Sequence, residues 1–366
     1  MKSIAIVYAS EGTGHKTAAF ALRERFLADY PDAKVICVDV LDFVPFCLKF
    51  FVSEGYVFLA RYLPFAWGWL YWGSDKESFC SNLFDKVHSL LCKLYLPKLE
   101  MMLRLNGAEA VFFTHYFGAA PLALRNLGTF PVFYVNTDFV SHRFQRDKIF
   151  KHSFVACDVA VKQYLTDGVS AVSVSGIPIS SKFDVLPSKG LARSRLGLSP
   201  DDSVVLVSGG GIGAGSVFEV ARNLSHSKFK VLVVCGNNAK LFGKLKSACL
   251  GCNVMIYGFV SNMEDFYCAS DVAVIKPGGL STSECLATGL PMILTDPIPG
   301  QEKLNLDFLC SRRAALELRC PSDVVRVVSD LLGDDERLSS LRGCMRDVAC
   351  PNASFVVLDV ASRLLF

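Results

Sequence analysis

Two runs of the form apolar strand, Gly-rich turn, helix constrain this chain more than any other feature. The first is Val7 to Ala19 (VYASEGTGHKTAA). The second, Lys276 to Glu284 (KPGGLSTSE), follows the apolar segment 271–275. The first turn offers a titratable imidazole, His15, and the second offers backbone amides and the carboxylate of Glu284. Turns of this kind lie at the carboxyl ends of strands in open α/β sheets, where ligands bind. Two of them predict two nucleotide-fold domains facing a shared cleft. At 366 residues the chain is long enough for both.

Apolar periodicity extends the pattern. Strands are expected at 3–9, 34–40, 110–114, 131–136, 153–156 and 171–174, with helices at 16–29, 78–105, 118–127 and 160–167 between them. Gly176 to Ser180 (GIPIS) and the polar stretch behind it mark a boundary near 180–200. A second series follows, with strands at 203–208, 229–235, 253–257, 271–275, 291–295 and 314–318, separated by helices. The alternation implies parallel sheets with right-handed crossovers. Domains of 1–180 and 181–349 result, and 350–366 is apolar enough to pack back on the first.

Charged residues are 20% of a chain that is 51% hydrophobic, which argues against disorder. A net charge of +3, with no block of like charge, gives no footprint for nucleic acid. The 14 cysteines are scattered through apolar segments. Cys249 and Cys252 form a C-x-x-C without the further ligands of a zinc site. Reduced, buried thiols point to the cytoplasm. The apolar stretch 3–9 runs straight into the Gly-rich turn, so no signal peptide is expected. No run reaches the ~20 apolar residues of a spanning helix.

The turns admit several chemistries. His15 separates Gly14 from Lys16, so the first is not a Walker A loop. Asp39 could serve a dinucleotide ribose, which keeps nicotinamide binding open. A helix N-terminus disfavours protonation of His15, leaving it neutral and able to accept a proton. Gly209, Gly210 and Gly211 open a loop through Gly215 whose amides suit a diphosphate. Ser281 and Glu284 have the spacing of a helix capping box. The same position would let Glu284 hold a ribose diol. No Asp-x-Asp tripeptide occurs, so no metal is expected on the diphosphate; amides, a helix dipole and Lys276 would take its charge.

In this order the residues resemble the processive diacylglycerol glucosyltransferases and monogalactosyldiacylglycerol synthases, lipid glycosyltransferases related to the peptidoglycan N-acetylglucosaminyltransferase. The resemblance covers nearly the whole chain. It is carried by Lys276 to Glu284, Gly289 to Leu294 (GLPMIL), Pro299 to Glu302 (PGQE) with Asn305, and Val135 to Phe139 (VNTDF) with His142. It implies an α/β protein of the GT-B fold, with two Rossmann-like domains and inverting, metal-independent transfer from a UDP-sugar, which is a substrate rather than a cofactor. By that analogy His15 and Asp138 are catalytic, and Gly14 and His142 serve the acceptor. Gly209, Gly210, Gly211, Phe259, Val260, Lys276, Gly278, Gly279, Leu280, Ser281, Glu284, Gly300, Gln301, Glu302 and Asn305 bind the donor. Thr13, Phe144 and the surroundings of His115 depart from the family pattern, and all lie in the acceptor half.

All three tryptophans, Trp67, Trp69 and Trp72, fall close together among Tyr56, Phe58, Tyr62, Phe65 and Tyr71. Pro64 and Gly68 suit a regular core helix poorly. Such aromatics concentrate where one end is apolar and the other wet. The stretch therefore reads as an element dipping into one leaflet, with Lys49, Arg61 and Lys76 available to anionic headgroups. The expected partners are UDP-glucose or UDP-galactose, diacylglycerol and an anionic membrane surface, at the inner face of the cell membrane. Transfer to another lipid or isoprenoid, sugar epimerisation, and nucleotide-dependent regulation without turnover are the competing readings.

Overall fold

The computed structural model describes residues 3–10, 13–45, 63–75, 79–248, 250–251 and 253–365. Lys49, Tyr56, Phe58, Arg61, Tyr62, Lys76, Cys249 and Cys252 lie outside the described residues. The chain divides into two compact units: Met1–Ser181 with Ile298–Gln301 and Asn352–Phe366, and Lys182–Pro297 with Glu302–Pro351.

The first unit is a parallel sheet in the order β2-β1-β3-β4-β5-β6. Its strands are β1 (Ser3–Tyr8), β2 (Lys34–Asp39), β3 (Ala110–Phe113), β4 (Val132–Val135), β5 (His152–Val155) and β6 (Val172–Val174). Both faces of β1, β3 and β4 are buried, which is why these segments read as continuous apolar runs. Helices α1 (Thr13–Asp29), α2 (Pro64–Asp75), α3 (Phe79–Leu105), α4 (Ala119–Arg125) and α5 (Asp158–Thr166) flank it. Ile6, Phe26, Phe112 and Phe133 make one core; Val7, Tyr95, Leu99 and Phe113 belong to the core on the opposite face.

The second unit is also a six-stranded parallel sheet, ordered β12-β11-β10-β7-β8-β9. Its elements are α6 (Lys189–Leu196), β7 (Val204–Ser208), α7 (Val217–Leu224), β8 (Lys230–Val234), α8 (Ala239–Ser247), β9 (Val254–Tyr257), α9 (Met263–Ala269), β10 (Val272–Ile275), α10 (Gly279–Thr288), β11 (Met292–Leu294), α11 (Gln301–Ser311), β12 (Leu316–Glu317), α12 (Val324–Leu332) and α13 (Asp335–Val348). Both units are Rossmann-like, and strand order reverses between β1 and β3 in one and between β7 and β10 in the other.

The last helix, α14 (Ala353–Leu365), belongs to the first unit. Its Val357, Leu358 and Ala361 join the core of Ala19, Leu22 and Phe26 on α1, and Tyr30 Oη lies 3.3 Å from Ser362 Oγ. An 18-residue window within Asp335–Leu365 reaches a mean hydropathy of 1.3. The chain around Pro351 divides that segment into helices of 14 and 13 residues. Each is shorter than the ~20 residues of a bilayer span.

Two expectations are corrected. The helix bearing His15 starts at Thr13 rather than Lys16, so Gly14 and His15 form its first turn. The aromatic stretch from 64 is a regular helix after all. Pro64 is its first residue, where a missing N–H costs nothing. Gly68 is buried, and a Cβ there would come 3.1 Å from the Pro299 ring.

Candidate active site

In the first unit the switch point falls at His15. Thr114, directly after β3, brackets it: the Thr114 hydroxyl donates to His15 O at 2.9 Å, and His15 Nδ1 lies 2.8 Å from Thr114 O. A carbonyl only accepts, so Nδ1 carries the proton, an assignment made from the bonding network. Thr137 Oγ1, beyond β4, lies 2.9 Å from the same nitrogen and shares that proton. Nε2 is left as an acceptor. Burial, the largest effect, lowers the His15 pKa, and the bond to Thr114 opposes it. The imidazole is therefore neutral at pH 7, though part of its surface stays exposed. Among the described residues, a Cβ at Gly14 would meet nothing within 4 Å.

The sequence did not single out Thr114 and Thr137; only the fold brings them to His15, from 99 and 122 residues away. Asp138 follows Thr137 and is buried, with its N–H donated to Asn136 Oδ1 at 3.1 Å. His142 is buried too. Its Nδ1 accepts from Phe144 N, so Nε2 carries the proton and donates towards Tyr71 O at 3.4 Å. Ser74 Oγ lies 3.3 Å from the same nitrogen. His142 thus ties helix α2 to the loop after β4.

Helix α2 has two faces. Phe65, Trp69 and Trp72, at helical spacing, are 92%, 66% and 42% exposed, whereas Tyr71 is buried. Trp67 is half-buried, with its ring 6.4 Å from that of Tyr71. The outward stripe therefore consists of Phe65, Trp69 and Trp72, not of the three tryptophans.

In the second unit the loops after β7 and β10 lie side by side at the switch point. Gly209 to Gly215 form a tightly closed loop: a Cβ on Gly209 would sit 2.2 Å from Ala214 O. Its amides are less free than the sequence suggested. Gly210 N donates to Ser208 Oγ, Gly213 N to Gly210 O and Ala214 N to Gly209 O. Ser216 N, at the start of α7, donates to Asp296 Oδ2 at 2.8 Å. Internal acceptors satisfy these amides because a buried unpaired N–H is costly.

Helix α10 is the second candidate anion site. It starts at Gly279 with Gly278 as N-cap and no side-chain cap. The first N–H groups of a helix have no partner within it and favour negative charge. Ser281 lies inside the first turn, so the capping-box reading is withdrawn. Glu284 is buried and accepts from Tyr267 Oη at 2.9 Å. Burial raises its pKa to about 7, against the opposing effect of that hydrogen bond. The Lys276 ammonium pairs with Glu302 at 3.0 Å. Asn305 has no exposed surface, and its amide donates to Pro277 O at 3.1 Å. That bond holds the loop between β10 and α10. Phe259 is 67% exposed and Val260 half-buried after β9, towards the edge of the same carboxyl side. Gly300 and Gln301 sit with the first unit, and Glu302 begins the return to the second.

Comparison with known proteins adds two family-model matches and several similar proteins. Residues 15–179 match the monogalactosyldiacylglycerol (MGDG) synthase model, and 213–341 match glycosyl transferases group 1. The chain is similar to a processive diacylglycerol beta-glucosyltransferase of Bacillus subtilis, 32% identical over 235 residues, which are 63% of this chain and 62% of that protein. It is 27% identical to the enzyme of the same name from Bacillus pumilus, over 98% of this chain and 94% of that one. Among solved structures, MurG of Acinetobacter baumannii superposes with a TM-score of 0.59 at 16% identity, covering 99% of this chain and all of the other. The calicheamicin glycosyltransferase CalG4 superposes with a TM-score of 0.63 at 14% identity, covering 100% and 98%. These two likenesses speak for the GT-B fold alone.

Proposed function

We propose that this chain, which is similar to the monogalactosyldiacylglycerol synthases and processive diacylglycerol glucosyltransferases, moves a hexose from a UDP-sugar to diacylglycerol at a membrane surface, with inversion. The observation that carries this reading is the fixed tautomer of His15, which leaves Nε2 as a base. The acceptor hydroxyl gives its proton to Nε2 while its oxygen attacks the anomeric carbon. The bond from that carbon to the diphosphate oxygen breaks, and UDP leaves with the electron pair. The uncapped start of α10 and Lys276 take the negative charge. Glu284 holds the ribose diol, and Phe259 and Val260 lie beside the uracil. Gln301 and Glu302 face the sugar, Glu302 exchanging Lys276 for a sugar hydroxyl.

The stripe of Phe65, Trp69 and Trp72 supports action at a lipid surface, which we assign to the cytoplasmic face. The absence of an Asp-x-Asp tripeptide supports transfer without a metal. Products formed from UDP-glucose and from UDP-galactose over diacylglycerol vesicles, with and without EDTA, test the proposal. The expected product is a β-linked glycosyldiacylglycerol at an EDTA-insensitive rate. Retention of the donor's α configuration would reject inversion. Loss on chelation with rescue by Mg²⁺ would reject metal independence.

A further inference from the structure

The hydroxyl of Tyr71 has no hydrogen-bond partner among the described residues, although the side chain is 95% buried: its relative exposure is 5%. Removing a phenol from water without giving it a new partner is destabilising. Phenylalanine would fill the same volume without that cost, so the hydroxyl calls for a partner that arrives from outside.

Its surroundings say what that partner is. A run of ring contacts leads from the proposed base to Tyr71: His15 to His115 at 4.6 Å, His115 to Tyr116 at 4.5 Å, Tyr116 to Phe144 at 5.6 Å, Phe144 to His142 at 4.8 Å and His142 to Tyr71 at 4.8 Å. On its other side the Tyr71 ring presses on Gly300. A Cβ there would lie 2.8–3.0 Å from three ring carbons, and Gly300 holds a φ of +102° that only glycine adopts readily. Gly300 leads directly into Gln301 and Glu302. Tyr71 also lies on α2, one residue from the exposed Trp72. It therefore touches the element that faces lipid and the segment leading to the proposed sugar contacts, at the end of an aromatic wall that starts at the base.

We propose that the Tyr71 hydroxyl is a hydrogen-bonding group for the oxygen-bearing end of a neutral glycerolipid acceptor, an assignment that rests on the function proposed above. Burial and then the charge of Asp138 hold its proton firmly, so the phenol donates at any working pH.

The test is Tyr71→Phe, which removes one oxygen and keeps the ring against Gly300. Transfer to diacylglycerol in mixed micelles is followed together with uridine affinity and thermal midpoint. Expected is a rise in the KM for diacylglycerol of about two- to tenfold, the value of one hydrogen bond, with uridine affinity unchanged and a midpoint equal or higher. An unchanged KM would overturn the proposal, and a lowered midpoint beside it would assign the hydroxyl to an internal water. Weakened uridine binding with an unchanged KM would overturn it in favour of a role in the loop at Gly300. A wild type that turns over no diacylglycerol would reject the functional reading itself, and this assignment with it.

Discussion

One shared proton decides what His15 can do. With Nδ1–H held between Thr114 O and Thr137 Oγ1, the basic nitrogen is fixed before any substrate arrives. His15→Ala should lower kcat by ~10²–10⁴, the usual range for a general base, and leave uridine affinity intact. Turnover near wild type would remove His15 from the mechanism. Glu284 makes a prediction in pH. Its pKa near 7 means that the ligand-free carboxyl takes up a proton as pH falls through 7 and loses an acceptor for the ribose diol. Affinity for uridine, which has no phosphate to titrate, should weaken below pH 7, up to about tenfold per unit, and Glu284→Gln should abolish the dependence. A flat profile in the wild type would release Glu284 from the ribose. Folding runs the other way. A pKa raised from 4.5 gives stability that is complete below 4.5 and lost as pH rises through about 7. At this scale the sequence displayed His15 and Glu284, because a histidine and a carboxylate beside Gly-rich turns are chemically conspicuous. Thr114, Thr137 and Tyr267 were hidden: nothing in their local sequence marks them, and they gain meaning only through contacts across the sheet.

Helix α2 shows how spacing outranks residue type. The tryptophan cluster drew notice by composition, yet Phe65, Trp69 and Trp72 form the exposed stripe because they recur at i, i+4 and i+7. That periodicity was present in the sequence. The presence of Pro64 and Gly68 obscured it, since their tolerance depends on helix position and on the neighbour that Gly68 admits. Replacing Phe65, Trp69 and Trp72 together with Ser should abolish cosedimentation with anionic vesicles and leave uridine binding and the thermal midpoint unchanged. Unfolding of that variant, beside a wild type that ignores vesicles, would make the stripe structural. Trp67 is unsuited to the experiment because it is half-buried. The capping-box spacing at Ser281 misled for a related reason. A motif's meaning is set by where its helix begins, and α10 begins two residues earlier.

For the whole molecule, alternating apolar strands and helices made two parallel sheets legible. The order of the strands was not, since hydrophobic periodicity carries no information about which strand lies beside which. The two switch points follow from that order and explain why the base and the proposed donor groups occupy turns so distant in sequence. The place of α14 has a further consequence, in the timing of synthesis. The first sheet emerges from the ribosome early, but one face of α1 waits for Val357, Leu358 and Ala361. Domains usually fold in the order in which they are made. Here the packing of the helix carrying His15 is completed only after the second unit has been translated. A chain cut after Pro351 forfeits two large buried side chains worth ~3–6 kcal/mol. It should show faster hydrogen exchange in α1 and lose transfer, while its second unit still binds uridine. Undiminished protection of α1 in that truncated chain would mean that the unit bearing His15 matures without α14.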